Sequence, residues 1–226
     1  MKRNRPEEKL RSLHVQYFRI LEKLGKRTYS KYRRSKKEGA QFFLKNISLP
    51  RRIFHEEIGK KDLNPGAVAG IILEWILYFL VKAAFEKNKY IAVFNSYPVP
   101  FKWKEKGYKR INVDLAVGIR NLNKPLKLKK LIYLVEVKTN FADGFSNYCR
   151  QERTLYHLRT RSTPCFRYHY LAFSGIPAIF NKRHKHELQR IRDHGELWVF
   201  EKDKYNIDNA KNFLDAIFRP FSLSKK

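Results

Sequence analysis

The residues best equipped for chemistry lie on two short apolar runs. One reads Ile111-Asn112-Val113-Asp114-Leu115-Ala116-Val117, the other Leu131-Ile132-Tyr133-Leu134-Val135-Glu136-Val137-Lys138-Thr139. Branched and aromatic residues at this density predict strands. Side chains alternate across a strand, so Glu136 and Lys138 share one face while Val135 and Val137 take the other. By the same alternation Val113, Leu115 and Val117 occupy one face of the first run, and Asp114 projects from the opposite one beside Ala116. If the two strands pair, Asp114 and Glu136 converge, with Lys138 next to them. Two carboxylates and a backbone carbonyl are hard oxygen ligands suited to Mg²⁺, which takes few protein ligands and keeps several waters. A metal so held acidifies a water, orients it in line with a phosphodiester and offsets charge on the pentavalent centre. A neighbouring ammonium stabilises hydroxide and the developing charge. The bland alternative is a pair of edge strands whose exposed charges form a cross-strand ion pair.

These strands must be placed by the rest of the chain. After the turn-forming Asn64-Pro65-Gly66, residues 67–85 predict a long apolar helix, followed by strands over 90–94, 111–119, 131–138 and 168–173. Helices are expected from about Phe145 to Arg161, from about Lys182 to Asp193 and from about Ile207 to Phe218, with a last strand over 197–200. Three successive strands predict an antiparallel meander, and the later alternation of strand and helix predicts crossover units added to it. The fold expected is α/β of the α+β mixed-sheet kind, a central mixed sheet flanked by helices.

With these residues in place, the sequence resembles the PD-(D/E)xK nuclease superfamily, the fold of many type II restriction endonucleases. The resemblance rests on Asp114, twenty-one intervening residues, then Glu136-Val137-Lys138, each motif on an apolar strand. Its order of a helix, three strands, a helix and a strand matches about residues 66–174, roughly half the chain. The resemblance implies a restriction-endonuclease-like core in which Asp114 and Glu136 bind the divalent metal, Val137 offers its carbonyl and Lys138 activates or positions the water. Val113 stands where the family's nominal proline would be. Many members carry an acidic residue on the preceding helix, which singles out Glu74, forty residues ahead of Asp114. Glu74 interrupts an apolar helix, and a buried carboxylate needs metal, water or hydrogen-bond partners. It also recurs with Tyr78, Lys82 and Glu86 every four residues, the pattern of a narrow solvated stripe.

The surround is strongly basic. Across 226 residues Lys+Arg number 49 and Asp+Glu 21, a formal net charge of +28, so a polyanion is the first partner to consider. With 43% hydrophobic and 15% aromatic residues the chain is a folded protein, not a disordered basic tail. Residues 1–52 hold 17 Lys/Arg against 4 Asp/Glu. There Leu10, Leu13, Tyr17, Ile20, Leu21 and Leu24 mark an amphipathic basic helix, with Gly25 as its expected stop. Lys31-Tyr32-Arg33-Arg34-Ser35-Lys36-Lys37 is expected as a loop suited to phosphate contact, through Arg33, Arg34, Lys36 and Lys37. A solvated arm that only aids solubility is the alternative. Arg150, Gln151, Arg153 and Arg159, on the helix after the motif, are further DNA-binding candidates, either reading base edges or gripping phosphates. The organisation expected is a basic helical arm over residues 1–60 and a nuclease domain over 61–226.

Other features exclude function classes. Two cysteines, Cys149 and Cys165, cannot build a disulfide framework or a four-cysteine metal site, and both read as packing residues. No apolar segment follows the charged first residues as a secretory signal requires, so cytoplasmic residence is expected. Residues 66–85 approach bilayer length, but Glu74 and Lys82 interrupt them, and a buried helix of a soluble protein is preferred to a membrane span. His184 and His186 sit among Lys182, Arg183 and Lys185 and read as part of a basic solvated helix rather than a metal site.

The expectation is therefore a Mg²⁺-dependent endonuclease of double-stranded DNA, with Mn²⁺ a possible substitute. By resemblance and size it is a site-specific restriction enzyme acting as a homodimer, since one such site cuts one strand and two-fold symmetry matches a duplex. A cognate DNA methyltransferase would then act on the same site. The alternatives are a structure-specific or repair nuclease with the same core, and a non-catalytic basic nucleic-acid-binding protein.

Overall fold

The computed structural model describes residues 15–47, 65–102, 108–138, 145, 148–149, 166–172, 185–189, 197–200 and 206–218. The chain forms two compact units, one of Met1–Glu86 with Asn206–Lys226 and the other of Lys87–Tyr205. Packing thus divides the chain at 86/87 and 205/206, whereas charge suggests a boundary at 60/61.

The first unit is helical: α1 (Val15–Arg34), α2 (Lys36–Ile47), α3 (Pro65–Phe85) and α4 (Ile207–Phe218). Two expectations are corrected here. Gly25 does not end the first helix but lies inside α1, because a Cβ there would come within 2.6 Å of the Leu80 nitrogen and 2.8 Å of the Phe79 Cβ. Its missing side chain lets α1 and α3 approach closely, a use of glycine that local periodicity cannot distinguish from a stop. Residues 31–37 are not a loop either. They end α1 and, after Ser35, begin α2, where the Ser35 hydroxyl accepts a hydrogen bond from the Glu38 N–H at 3.3 Å. That is an N-cap in a Ser-x-x-Glu setting.

Between α1 and α3, buried Leu21 packs with Ile72, Ile76 and Phe79, walled by Phe18, Leu24, Trp75 and Tyr78. On the α2 and α4 side, Phe43 meets Phe213 at 5.8 Å between ring centroids, and Tyr29 and Tyr32 meet Phe218. Buried Asp215 of α4 accepts the Tyr32 hydroxyl and pairs with Lys36 Nζ at 2.9 Å. As expected for a segment apolar on nearly every side, α3 is largely enclosed, and Leu80 and Val81 are fully buried. No helix among the described residues is long and apolar enough to cross a membrane.

The second unit is built on a five-stranded mixed sheet: β1 (Ile91–Lys102), β2 (Tyr108–Arg120), β3 (Leu128–Lys138), β4 (Arg167–Ala172) and β5 (Leu197–Val199), ordered β1-β2-β3-β4-β5. β1 to β3 pair antiparallel, and β4 and β5 add in parallel. The expected meander followed by crossovers is therefore present. Between β3 and β4, residues 145, 148 and 149 are helical, as are 185–189 between β4 and β5.

β1 runs well past the expected residue 94. Pro98 and Pro100 lie in it, two residues apart on an edge strand, so both missing N–H groups fall on one side of the strand. Val99, Val113, Ala116, Leu134, Tyr168, Tyr170 and Ala172 join the main core, with Phe145, Tyr148 and Cys149 from the helical residues packed on it. The Tyr148 hydroxyl donates to the Tyr168 carbonyl at 2.9 Å. Cys149 is a buried packing residue, as expected.

One irregularity bears on the site. Strict alternation would put Val113 and Ala116 on opposite faces, yet both enter the same core cluster. The interruption falls at Asp114: the β1–β2 ladder passes from Asn95↔Leu115 to Tyr97↔Val113 without a pair between them. Ser96, the residue skipped in β1, has φ 54°, a left-handed conformation few non-glycine residues adopt.

Candidate active site

The expected convergence occurs within the sheet unit. The β2–β3 ladder ends at Leu115↔Val135, so Asp114 and Glu136 are the next residues outward on adjacent strands. β3 remains paired on its other side as far as Lys138↔Ala172. Past the last β2–β3 pair the Val137 N–H has no ladder acceptor on β2, and it donates instead to Asp114 Oδ2 at 2.7 Å. Lys138 Nζ lies 2.6 Å from Glu136 Oε1 and 3.6 Å from Asp114 Oδ2. Glu136 and Lys138 therefore act from one face of β3, as alternation predicts.

The three side chains differ in access. Glu136 is 7% exposed, Asp114 19% and Lys138 29%. Burial disfavours the charged carboxylate. It pushes Glu136 up to about 7, with the Asp114 charge adding to the rise and Lys138 opposing it. Asp114 is also raised by burial, against the pull of Lys138 and the Val137 N–H. Around neutral pH the pair therefore holds a proton at Glu136 that an isolated carboxyl would have lost.

Glu136 Oε2 is buried without a hydrogen-bond partner. A buried unsatisfied carboxylate oxygen is unfavourable by about 1–3 kcal/mol or more, and a hard cation would satisfy it. The donor set is a pair of carboxylates: among the described residues no group of three or more His, Cys, Asp or Glu gathers for a metal. Such a pair suits Mg²⁺, which binds through one or two carboxylates and retains waters, better than a closed four-ligand zinc site. Asp114 and Glu136 would hold the ion. Val137 contributes its N–H to the Asp114 carboxylate, an orienting role that side-chain types alone do not reveal.

Glu74 lies in the helical unit, half-buried on α3. Spaced four residues apart after it, Tyr78 is half-buried and Lys82 and Glu86 are exposed, Lys82 Nζ lying 5.6 Å from the Tyr78 ring centroid. Arg33 and Arg34 are exposed at the end of α1, Lys37 is exposed on α2, and Lys36 is paired with Asp215. Arg150, Gln151, Arg153, Arg159 and His184 lie outside the described residues; His186 is exposed. The outward cations earlier in α1, Arg19, Lys23 and Arg27, were not singled out by motif, although they recur every four residues.

No family model matches the chain, and neither does any curated protein. Among solved structures it is similar to the crystal structure of protein VC1899 from Vibrio cholerae, at 16% identity and a TM-score of 0.41, over 91% of this chain and 57% of that one. The chain thus spans a little over half the length of that structure.

Proposed function

We propose that the protein is a Mg²⁺-dependent endonuclease of double-stranded DNA with a restriction-endonuclease-like core. The observation that carries this reading is the meeting of Asp114, Glu136 and Lys138 at the point where β2 and β3 part, with one Glu136 oxygen buried and unsatisfied. A meander whose third strand pairs in parallel with the next supports the core that the PD-(D/E)xK resemblance implies. The net charge of +28 supports a polyanionic substrate.

The roles follow from the geometry. Asp114, oriented by the Val137 N–H, and Glu136 would hold the ion. When bound, Mg²⁺ supplies a more acidic water and neutralises charge on the phosphate. Lys138, beside both carboxylates, would offer its ammonium to the attacking water and the phosphoryl oxygens. Glu136 must first lose the proton that burial favours. We infer further that the enzyme is a homodimeric, site-specific restriction endonuclease whose site a cognate methyltransferase would share.

The test is digestion of a large plasmid with Mg²⁺ against EDTA. Discrete limit fragments with Mg²⁺ alone support the whole reading. Cutting confined to branched or flapped substrates keeps the nuclease and rejects restriction. If no DNA is cut with Mg²⁺ or Mn²⁺, the enzyme reading is overturned and binding alone remains.

A further inference from the structure

We propose that the outward face of α1 is a duplex-DNA docking surface that grips the two phosphate backbones on either side of a groove. At 100° per residue, Arg33, Lys26, Arg19, Lys23, Arg34 and Arg27 fall within an arc of about 120°, with Ser30 inside it. All seven are exposed. The opposite arc carries Leu21, Gly25 and Thr28, buried against the rest of the helical unit. α1 is therefore amphipathic, but its apolar side is already occupied. What remains outside is a cationic arc flanked by exposed Ile20 on one side and Glu22 on the other, a face suited to a polyanion and not to insertion among lipid tails.

The cations on this face are not equivalent. Lys26 lies 2.9 Å from Glu22 and 3.7 Å from Glu86, so its charge is largely answered. Arg27 folds toward α2, its guanidinium 5.4 Å from the Phe42 ring centroid. Among the described residues no acidic side chain pairs with Arg19, Lys23, Arg33 or Arg34. These four form two pairs, Arg19 with Lys23 and Arg33 with Arg34, whose midpoints lie about 19 Å apart at a rise of 1.5 Å per residue. That separation is enough to reach across a major groove roughly 12 Å wide, which lets each pair meet a different strand's phosphates. A duplex carries about twice the charge per unit length of one of its strands and holds its phosphates in fixed rows, so it engages both pairs better than a flexible single strand. The surface revises the expected basic loop: Arg33 and Arg34 remain, Lys36 is held by Asp215, and Arg19 and Lys23 join.

The inference rests on the proposed function only for the choice of DNA as polyanion, and its test is run without metal. Binding of a 30-base-pair duplex in EDTA is measured against salt for the parent, for a variant carrying Arg19→Gln, Lys23→Gln, Arg33→Gln and Arg34→Gln, and for one carrying Arg19→Lys, Arg33→Lys and Arg34→Lys. Each lost phosphate contact lowers the slope of log K against log salt by about 0.9, so the Gln variant should lose about 3 to 4 and the Lys variant almost nothing. Substituting either pair alone should remove about half, and the parent should prefer duplex to single strand.

An unchanged slope in the Gln variant overturns the proposal. So does equal loss of duplex and single-strand binding, or a loss confined to vesicles of anionic lipid. A parent that binds in this way yet never cuts DNA with Mg²⁺ leaves the surface standing and overturns the nuclease instead.

Discussion

In the sheet unit two carboxylates and one ammonium sit together at 7% to 29% exposure, whereas the outward cations of α1 stand in solvent, spread along a helix with few acids near them. Both regions are charged, but the medium differs. In a partly dry site each charge alters its neighbour's protonation and binding, because the local dielectric is low. On an open helix the same charges act additively and yield to salt. The first arrangement suits making and breaking bonds, the second suits holding a long polyanion. The acids are few in this chain, and their value lies in where the sheet hides them.

Five measurements break or sharpen that contrast. The largest effect is expected at the buried end: Asp114→Asn or Lys138→Ala should lower Mg²⁺-dependent cleavage by about a thousand-fold or more while leaving duplex binding in EDTA near the parent's. If either variant cuts normally, the buried cluster is only an ion pair and the contrast collapses.

Next comes pH. Folding raises the Glu136 pKa from 4.5 to about 7, so the metal-free native state holds this proton more tightly than the unfolded chain does. Stability from this group is full below about pH 4.5 and is lost as pH rises through about 7, by on the order of 3 kcal/mol. Thermal melts in EDTA at pH 5 and pH 8 should show that fall, and Glu136→Gln should remove it. A parent melting equally well at both values contradicts the buried site. For the same reason Mg²⁺ should bind more tightly as pH rises toward 7, by up to about ten-fold per unit, with proton release measurable by calorimetry.

A smaller effect belongs to packing. Gly25→Ala places a methyl 2.6 Å from the Leu80 nitrogen, and the α1–α3 contact must shift. A loss of about 1–3 kcal/mol in chemical denaturation is expected. A neutral result would mean that α1 is held less closely than described. The smallest effect is at the surface: Lys26→Ala, which breaks exposed ion pairs with Glu22 and Glu86, should leave the melting temperature within error.

The sheet and its site were the more legible part of the sequence. Period-2 alternation across Leu131 to Lys138 sufficed to put Glu136 and Lys138 on one face, since a β-strand's side-chain geometry is a local property. Asp114 joined them because spacing allowed antiparallel pairing. What the pattern did not reveal depends on neighbours. Whether Gly25 stops a helix or lets another helix approach depends on Leu80, fifty-five residues away. That residues 31–37 turn within two helices depends on a Ser35 cap and on Gly39, where a Cβ would come 2.4 Å from the Tyr32 Cα. The missing ladder pair at Asp114 falls opposite Ser96 on the adjacent strand, which local alternation does not foresee. The extension of β1 through Pro98 and Pro100 follows from its place at the sheet edge, which composition does not specify.

The contact of Asp215 with Tyr32 and Lys36 also has a consequence in time. The Tyr32 partner lies 183 residues along the chain, and the whole sheet unit is encoded between them. As the chain leaves the ribosome, α1 to α3 are made early but cannot close against α4 until the sheet unit has been synthesised. The sheet unit, Lys87–Tyr205, is contiguous and faces no such delay. Synthesis thus favours a folded sheet before a completed helical unit, so a chain truncated ahead of Ile207 should retain the strands and leave Tyr32 and the hydrophobic side chains facing α4 uncovered.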